Sequence, residues 1–119
     1  MADVVAFVDD LFFKAKISET AKQLGLELRT CATPEGLAAE LSGAAPNLVV
    51  VDLNARANPL AAAERVHAIG REIPLIGFLS HVQTDLAAQA SAAGFDQVMP
   101  RSQFTQNLAT ILARAKSSS

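Results

Sequence analysis

The sequence lacks the features that mark several large classes of protein. Its one cysteine, Cys31, has no second thiol to pair with, so we expect it to be a small apolar side chain in a reducing compartment. Its apolar segments are far shorter than the roughly 18 residues that a membrane-spanning helix needs, and no basic segment precedes a signal-like apolar core. Lysine and arginine are scattered along the chain, whose formal net charge is -2. We therefore expect a cytoplasmic protein that binds neither membranes nor nucleic acids.

Length and composition are those of an ordinary globular domain. The chain has 119 residues, of which 50% are hydrophobic and 18% are charged. A chain of this size buries about two thirds of the surface that its unfolded state exposes, so it needs no disulfide or structural metal to fold. We predict one domain over residues 1–116, followed by a disordered serine tail at 117–119.

Short apolar segments alternate with amphipathic segments along the chain. Each connection between apolar segments is long enough for a helix that crosses a sheet, which excludes hairpins. We predict a flavodoxin-like, doubly wound sheet of five parallel strands in the order 2-1-3-4-5, with five helices. The predicted strands are 4–8, 26–29, 48–53, 74–79 and 98–99, and the predicted helices are 11–24, 34–43, 61–69, 84–93 and 104–115.

Acidic residues follow two strands that this order places side by side. Asp9 and Asp10 follow the first strand, and Asp52 ends the third. Ligands of open α/β sheets bind at the carboxyl ends of the strands, so we expect these three side chains to converge on a functional crevice. The alternative for Asp9 or Asp10 is that it only caps the helix that begins at Leu11.

Three carboxylates in one crevice need a cation. Two carboxylates about 5 Å apart repel each other by roughly 3 kcal/mol at an effective dielectric constant of about 20. Mg²⁺ is the natural counterion, because it prefers oxygen ligands and bridges carboxylates to phosphate groups. Beside such a cation Asp52 is suited to act as a nucleophile in phosphoryl transfer, since an ionised carboxylate needs no general base.

Three segments at strand ends resemble the signature of response-regulator receiver domains: Phe7-Val8-Asp9-Asp10, Val50-Val51-Asp52 and Phe78-Leu79-Ser80. The resemblance extends over the whole chain in the number and length of its elements. It implies that Asp52 accepts a phosphoryl group and that Ser80 hydrogen-bonds this group. It also implies that Mg²⁺ is held by Asp9, Asp10, Asp52 and the backbone carbonyl of Asn54.

The chain departs from the receiver pattern near this site. Arg101 stands where the family carries a lysine, Val98 where it usually carries an aromatic residue, and His81 where it usually carries a small residue. The loop at 55–58 lacks the methionine-proline pair that is common after the phosphoacceptor. Arg101 either replaces the lysine as the cation that faces the phosphoryl group or turns outward as a solvated charge.

The resemblance implies a signalling domain rather than an enzyme. A histidine kinase or a phosphotransfer protein would supply the phosphoryl group, and the fourth helix, fifth strand and last helix would contact a downstream protein or a second copy. The alternative is a pseudo-receiver, which is a protein-interaction module that works without phosphorylation. A Rossmann enzyme is excluded because its glycine fingerprint is absent, and neither His67 nor His81 has a partner at metal-site spacing.

Overall fold

A computed structural model describes residues 3–80 and 84–116, so His81 and the predicted tail at 117–119 lie outside the described residues. The described chain contains one sheet of five parallel strands in the order β2-β1-β3-β4-β5. The predicted flavodoxin-like fold and its strand order are therefore confirmed. The strands are β1 (Val4–Phe7), β2 (Leu28–Cys31), β3 (Leu48–Asp52), β4 (Leu75–Leu79) and β5 (Gln97–Pro100).

Helices connect the strands and cover both faces of the sheet. A single 3₁₀ turn, Pro59–Ala61, leads into the third helix. In the part of the chain that the structure describes, no helix is long and apolar enough to cross a membrane. The helices are α1 (Leu11–Gln23), α2 (Pro34–Gly43), α3 (Ala62–Ile69), α4 (Thr84–Ala93), α5 (Arg101–Gln106) and α6 (Leu108–Ala113).

The sheet separates two apolar clusters. Successive residues of a strand point to opposite faces, so Val4 and Ala6 pack beneath α1 and α6 while Val5 and Phe7 pack beneath α2 and α3. Every residue of β3 is buried, as expected for a strand with helices on both sides. Full burial of each large apolar side chain stabilises the fold by about 1.5–3 kcal/mol relative to exposure.

Three phenylalanines form an aromatic stack in the cluster beneath α1. Phe13 comes from α1, Phe78 from β4 and Phe104 from α5. The ring centroids are 4.9 Å apart for Phe13 and Phe78, 5.8 Å for Phe13 and Phe104, and 4.2 Å for Phe78 and Phe104. Aromatic contacts of this kind stabilise the fold by about 0.5–1.5 kcal/mol per pair, in addition to the stabilisation from burial of their apolar surface. The stack joins three elements near the carboxyl edge of the sheet.

The predicted bounds of the second strand were wrong, because β2 begins and ends two residues later than the predicted segment 26–29. The N–H of Leu26 donates to the carbonyl of Ala21 in α1, at 2.9 Å. Leu26 therefore takes part in the turn that follows α1 and not yet in the sheet. Pairing with β1 starts where Leu28 lies opposite Val4. β2 is half-exposed, in agreement with its expected place at the edge of the sheet.

The last helix is interrupted at Asn107, so the described chain has six helices rather than the five predicted. The backbone of Asn107 departs from helical geometry, with φ −108° and ψ 16°. The carbonyl of Gln103 accepts from both the backbone N–H and the side-chain amide of Asn107, at 3.1 and 3.0 Å. The predicted apolar stripe is nonetheless buried throughout, and comprises Phe104, Leu108, Ile111, Leu112 and Ala115. The other predicted bounds agree with the structure to within one residue at each end.

Cys31 ends β2 and is half-buried. Its Sγ atom lies 3.8 Å from the carbonyl oxygen of Ala6. Burial, with a smaller contribution from the charge of Glu40, raises the pKa of the Cys31 thiol to about 12. Burial thus disfavours the thiolate, which is the reactive form of a cysteine.

Gly94, which follows α4, provides a test of the fold. Its φ of +114° is a backbone conformation that residues with a side chain rarely adopt, and an added Cβ atom would collide with the imidazole of His67. We expect Gly94→Ala to lower the free energy of unfolding by about 1–3 kcal/mol in urea denaturation.

The matched control for this substitution is Gly43→Ala. Gly43 has open space at its Cβ position and lies in α2, so alanine there should preserve stability or raise it by about 0.4–1 kcal/mol. Equal effects of the two substitutions would contradict the conformation assigned to Gly94.

Candidate functional site

The sheet brings the predicted acidic residues to one edge. β1 and β3 are hydrogen-bonded neighbours, with Phe7 opposite Val51. Asp9 and Asp10 therefore follow β1 beside the point where β3 ends at Asp52. A polar crevice at the carboxyl ends of central strands is the usual ligand position in this architecture.

Asp52 is the buried carboxylate of this crevice, with only 1% of its surface exposed. Its Oδ1 atom accepts a hydrogen bond from the N–H of Asn54 at 2.9 Å. Its Oδ2 atom accepts one from Nη2 of Arg101 at 3.0 Å. A buried charge without such partners would be costly, so these two donors are what allow the carboxylate to remain inside the fold.

Arg101 points into the crevice rather than into solvent. It is the first residue of α5, directly after Pro100. Besides its bond to Asp52, its Nη1 atom lies 3.6 Å from Oδ2 of Asp10. The centre of its guanidinium group lies 4.8 Å from the ring centroid of Phe13 and 5.9 Å from that of Phe78. The cation is thus held by two carboxylates and by the faces of two aromatic rings.

Several effects shift the pKa of Asp52 in opposite directions. Burial raises the pKa of its carboxyl group above the ordinary value, and the charges of Asp9 and Asp10 act in the same direction. The N–H of Asn54 and the positive charge of Arg101 act against this rise. Burial is the largest of these effects, so the folded protein binds a proton at Asp52 more tightly than the unfolded chain does.

The two carboxylate oxygens of Asp10 have different partners. Its Oδ1 atom accepts from the backbone N–H groups of Phe12 and Phe13, at 3.0 and 3.2 Å, so it caps α1. Its Oδ2 atom faces Arg101. Capping and a place in the crevice are therefore combined in one side chain, although the sequence presented them as alternatives.

Asp9 is held by a residue that the sequence reasoning missed. Its Oδ2 atom accepts from the backbone N–H of Arg56 at 3.0 Å and lies 3.4 Å from Nε of the same arginine. Arg56 lies in the loop after β3, and no motif or spacing in that loop indicated a partner for Asp9. Because the Arg56 side chain is 91% exposed, this ion pair adds little stability.

The loop after β3 also contacts the loop after β4. The side-chain Oδ1 of Asn54 accepts a hydrogen bond from the backbone N–H of Ser80. Ser80 is exposed at the end of β4, on the same edge of the sheet as Asp52. The assignment of its hydroxyl to a bound phosphoryl group stays a prediction.

The predicted Mg²⁺ ligands have suitable chemistry, but their oxygens are already engaged. Carboxylates and a backbone carbonyl are the donors that Mg²⁺ prefers. Asp9, Asp10 and Asp52 each accept at least one hydrogen bond from an N–H group. Among residues 3–80 and 84–116 no group of three histidine, cysteine, aspartate or glutamate side chains is arranged to hold a metal ion. Of the carboxylate oxygens, Oδ2 of Asp10 and Oδ2 of Asp52 both face Arg101.

No family model matches the sequence, and no curated protein matches it. Solved structures do. The receiver domain of NtrX from Brucella abortus is 21% identical, with 98% of this chain and 100% of that chain covered and a TM-score of 0.80. The chemotaxis response regulator CheY4 of Vibrio cholerae is 18% identical, with 98% and 99% covered and a TM-score of 0.80. The phosphorylated cyanobacterial phytochrome response regulator RcpA is 15% identical, with 93% and 88% covered and a TM-score of 0.77.

These likenesses establish the fold. The chain has the fold of response-regulator receiver domains, which confirms the fold that the resemblance implied. The chain spans 26% of the longer NtrX chain from Brucella abortus that was solved in complex with ADP.

The raised pKa of Asp52 predicts how stability depends on pH. Because the folded state binds the proton more tightly, the contribution of this group to the free energy of unfolding falls as pH rises through the interval between its unfolded and folded pKa values. The Asp52→Asn variant has no ionisable group at this position, so it does not lose this stability as pH rises. We expect the variant to be similar to the wild type at a pH where the carboxyl group is protonated and to become relatively more stable as pH rises.

Urea denaturation of both proteins across acidic and neutral pH, with a chelator present, measures this difference. The difference in the free energy of unfolding between the two proteins should grow by about 1.4 kcal/mol for every tenfold difference in proton affinity between the folded and unfolded states. Asp85→Asn removes an exposed negative charge and provides the control. A wild type that gains stability over Asp52→Asn with rising pH would contradict the direction of the shift.

Proposed function

We propose that this domain is a phosphoryl-accepting receiver of two-component signal transduction and that Asp52 is its phosphoacceptor. The observation that supports the proposal is a buried carboxylate at the end of the central strand, beside two further acids and a cation, in a chain with the receiver fold. The domain transmits a state through protein contacts and catalyses no turnover of its own.

The chemistry requires only a positioned carboxylate and neutralisation of charge. An oxygen of Asp52 attacks the phosphorus atom of the donor, so a P–O bond forms while the bond between phosphorus and the donor breaks. The bonding electrons leave with the donor group, which takes up a proton. The Arg101 guanidinium, 3.0 Å from Oδ2 of Asp52, is positioned to face the negative charge of the acyl phosphate. In this proposal the Ser80 hydroxyl donates a hydrogen bond to a phosphoryl oxygen.

Mg²⁺ is the cofactor that this proposal includes. Asp9, Asp10, Asp52 and the backbone carbonyl of Asn54 would hold it. When bound, the ion neutralises charge between the carboxylates and the phosphoryl oxygens.

A second function is supported by the position of Arg101. The guanidinium already pairs with Asp52 and Asp10 without metal or phosphate, and Asp52 is almost completely buried. A buried carboxylate that already has a cationic partner suits a pseudo-receiver, whose contacts with partners do not depend on phosphorylation. The two functions differ in whether a phosphodonor modifies Asp52.

Incubation with acetyl phosphate and Mg²⁺, followed by intact-mass analysis, separates the two functions. We expect the wild type to gain the mass of one phosphoryl group and Asp52→Asn to gain none. Hydroxylamine should remove the added mass, because it cleaves acyl phosphates. A known receiver domain treated in parallel shows that the donor is active. If that domain is modified and the wild type is not, the pseudo-receiver replaces the first proposal.

The partners follow from the same proposal. A histidine kinase or a phosphotransfer protein would supply the phosphoryl group in the cytoplasm. The output surface would comprise α4, β5 and the last helical segment, and would contact a downstream protein or a second copy. In α4, Ala88, Ala92 and Ala93 are exposed, and such small side chains allow close approach of a partner. Ala90 of the same helix is buried and serves the fold.

The output surface is tested by Ala88→Glu. The substitution adds a charge and bulk to an exposed position, so we expect it to weaken self-association or partner capture while the thermal unfolding midpoint stays the same. Ala39→Glu, at an exposed position of α2, is the matched control. Sedimentation velocity and pull-down of the three proteins provide the comparison. Association that is equal in all three would remove this face from the proposal.

A further inference from the structure

The acidic crevice contains its own cation. Nη2 of Arg101 lies 3.0 Å from Oδ2 of Asp52, and Nη1 lies 3.6 Å from Oδ2 of Asp10. We infer that Arg101 is the resident cation of this crevice and that Mg²⁺ binds only by displacing it from Asp10 and Asp52. This inference deepens the proposed function and rests on it for the role of the metal, since it concerns which cation occupies the same site.

Most of the negative charge in the crevice faces an arginine without a metal. Asp10 and Asp52 share the guanidinium of Arg101, while Asp9 contacts Arg56 at 3.4 Å. Three carboxylates therefore face two arginines. The repulsion that makes an acidic crevice depend on a divalent ion is largely offset by the chain itself.

The position of Arg101 is determined by several contacts at once. Its guanidinium centre lies 4.8 Å from the centroid of the Phe13 ring, and its side chain is only 29% exposed. Its backbone is fixed at the start of α5, after Pro100 with a φ of −61°. Its Nε atom is buried and has no hydrogen-bond partner among the described residues. The two carboxylates and the aromatic face therefore compensate for an N–H group that has lost its water.

The arginine and a divalent ion need the same oxygen atoms. Mg²⁺ binds carboxylate oxygens at about 2.0–2.1 Å with near-octahedral geometry and keeps several waters. An ion held by Asp10 and Asp52 would take the oxygens that now accept from Arg101 and would lie beside a second positive charge. Binding of one cation therefore weakens binding of the other. A compact lysine ammonium leaves more room, whereas the planar guanidinium reaches both acids together.

The test compares Mg²⁺ binding to the wild type, Arg101→Gln and Arg114→Gln by isothermal titration calorimetry. Arg114→Gln removes the same charge at an exposed position that contacts Gln97, so it controls for net charge. We expect the Mg²⁺ dissociation constant to fall at least about tenfold in Arg101→Gln, which corresponds to about 1.4 kcal/mol, and to stay unchanged in Arg114→Gln. Equal Mg²⁺ affinity in all three proteins would overturn the inference, as would the absence of Mg²⁺ binding to Arg101→Gln.

A measurement on the wild type keeps the test independent of how well the variant folds. The Nε–H of Arg101 is buried, so its NMR signal should be protected from exchange with water. At saturating Mg²⁺ this signal should move and lose its protection together with shifts of the backbone amides around Asp52. Amide shifts around Asp52 with an unchanged Arg101 signal would show that both cations fit at once and would overturn the inference.

Failure of the inference can be distinguished from failure of the proposed function. If acetyl phosphate modifies the wild type, and the wild type binds Mg²⁺ as tightly as Arg101→Gln does, the receiver function is supported but the inference about Arg101 fails. If the wild type is not modified and Arg101→Gln binds Mg²⁺ more tightly than the wild type does, Arg101 is the resident cation but Asp52 is not a phosphoacceptor.

Discussion

The ion pair between Asp52 and Arg101 is the interaction on which the site depends. A strand buried on both faces carries the carboxylate to the edge of the sheet, where it has almost no contact with solvent. Such a charge persists inside a fold only when donors replace its lost water. The arginine is one of those donors, and its own burial is in turn supported by Asp10 and the ring of Phe13. Removal of Arg101 would leave the buried Asp52 carboxylate with only one of its two donors.

The sequence predicted the architecture well because the apolar pattern is strong. Alternation of buried strands with amphipathic helices requires long parallel crossovers, and few topologies satisfy them. The pattern was weaker at the edge, where β2 is half-exposed and its register depends on Leu28 lying opposite Val4. The break at Asn107 is a change of backbone conformation at one residue, with φ −108° and ψ 16°. The periodicity of apolar residues cannot detect a change of that kind, because the apolar stripe continues across it.

The candidate site was predictable in its residues and less so in its contacts. Strand ends in a parallel sheet share one edge, so the convergence of Asp9, Asp10 and Asp52 followed from topology. The direction of the Arg101 side chain did not, because it depends on tertiary packing against an aromatic face from another element. The contact between Arg56 and Asp9 spans 47 positions of sequence and carries no local signal.

The sheet keeps its two apolar clusters apart, and energetic coupling within the domain should follow the same division. The aromatic stack beneath Arg101 belongs to the cluster shared by α1, α5 and α6, whereas α2, α3 and α4 pack on the other cluster. Substitutions in contact with one another are non-additive, and those without shared partners add. In double-mutant cycles, Arg101 should therefore couple to Phe13, whose ring its guanidinium contacts, and be additive with Leu37 on the opposite face.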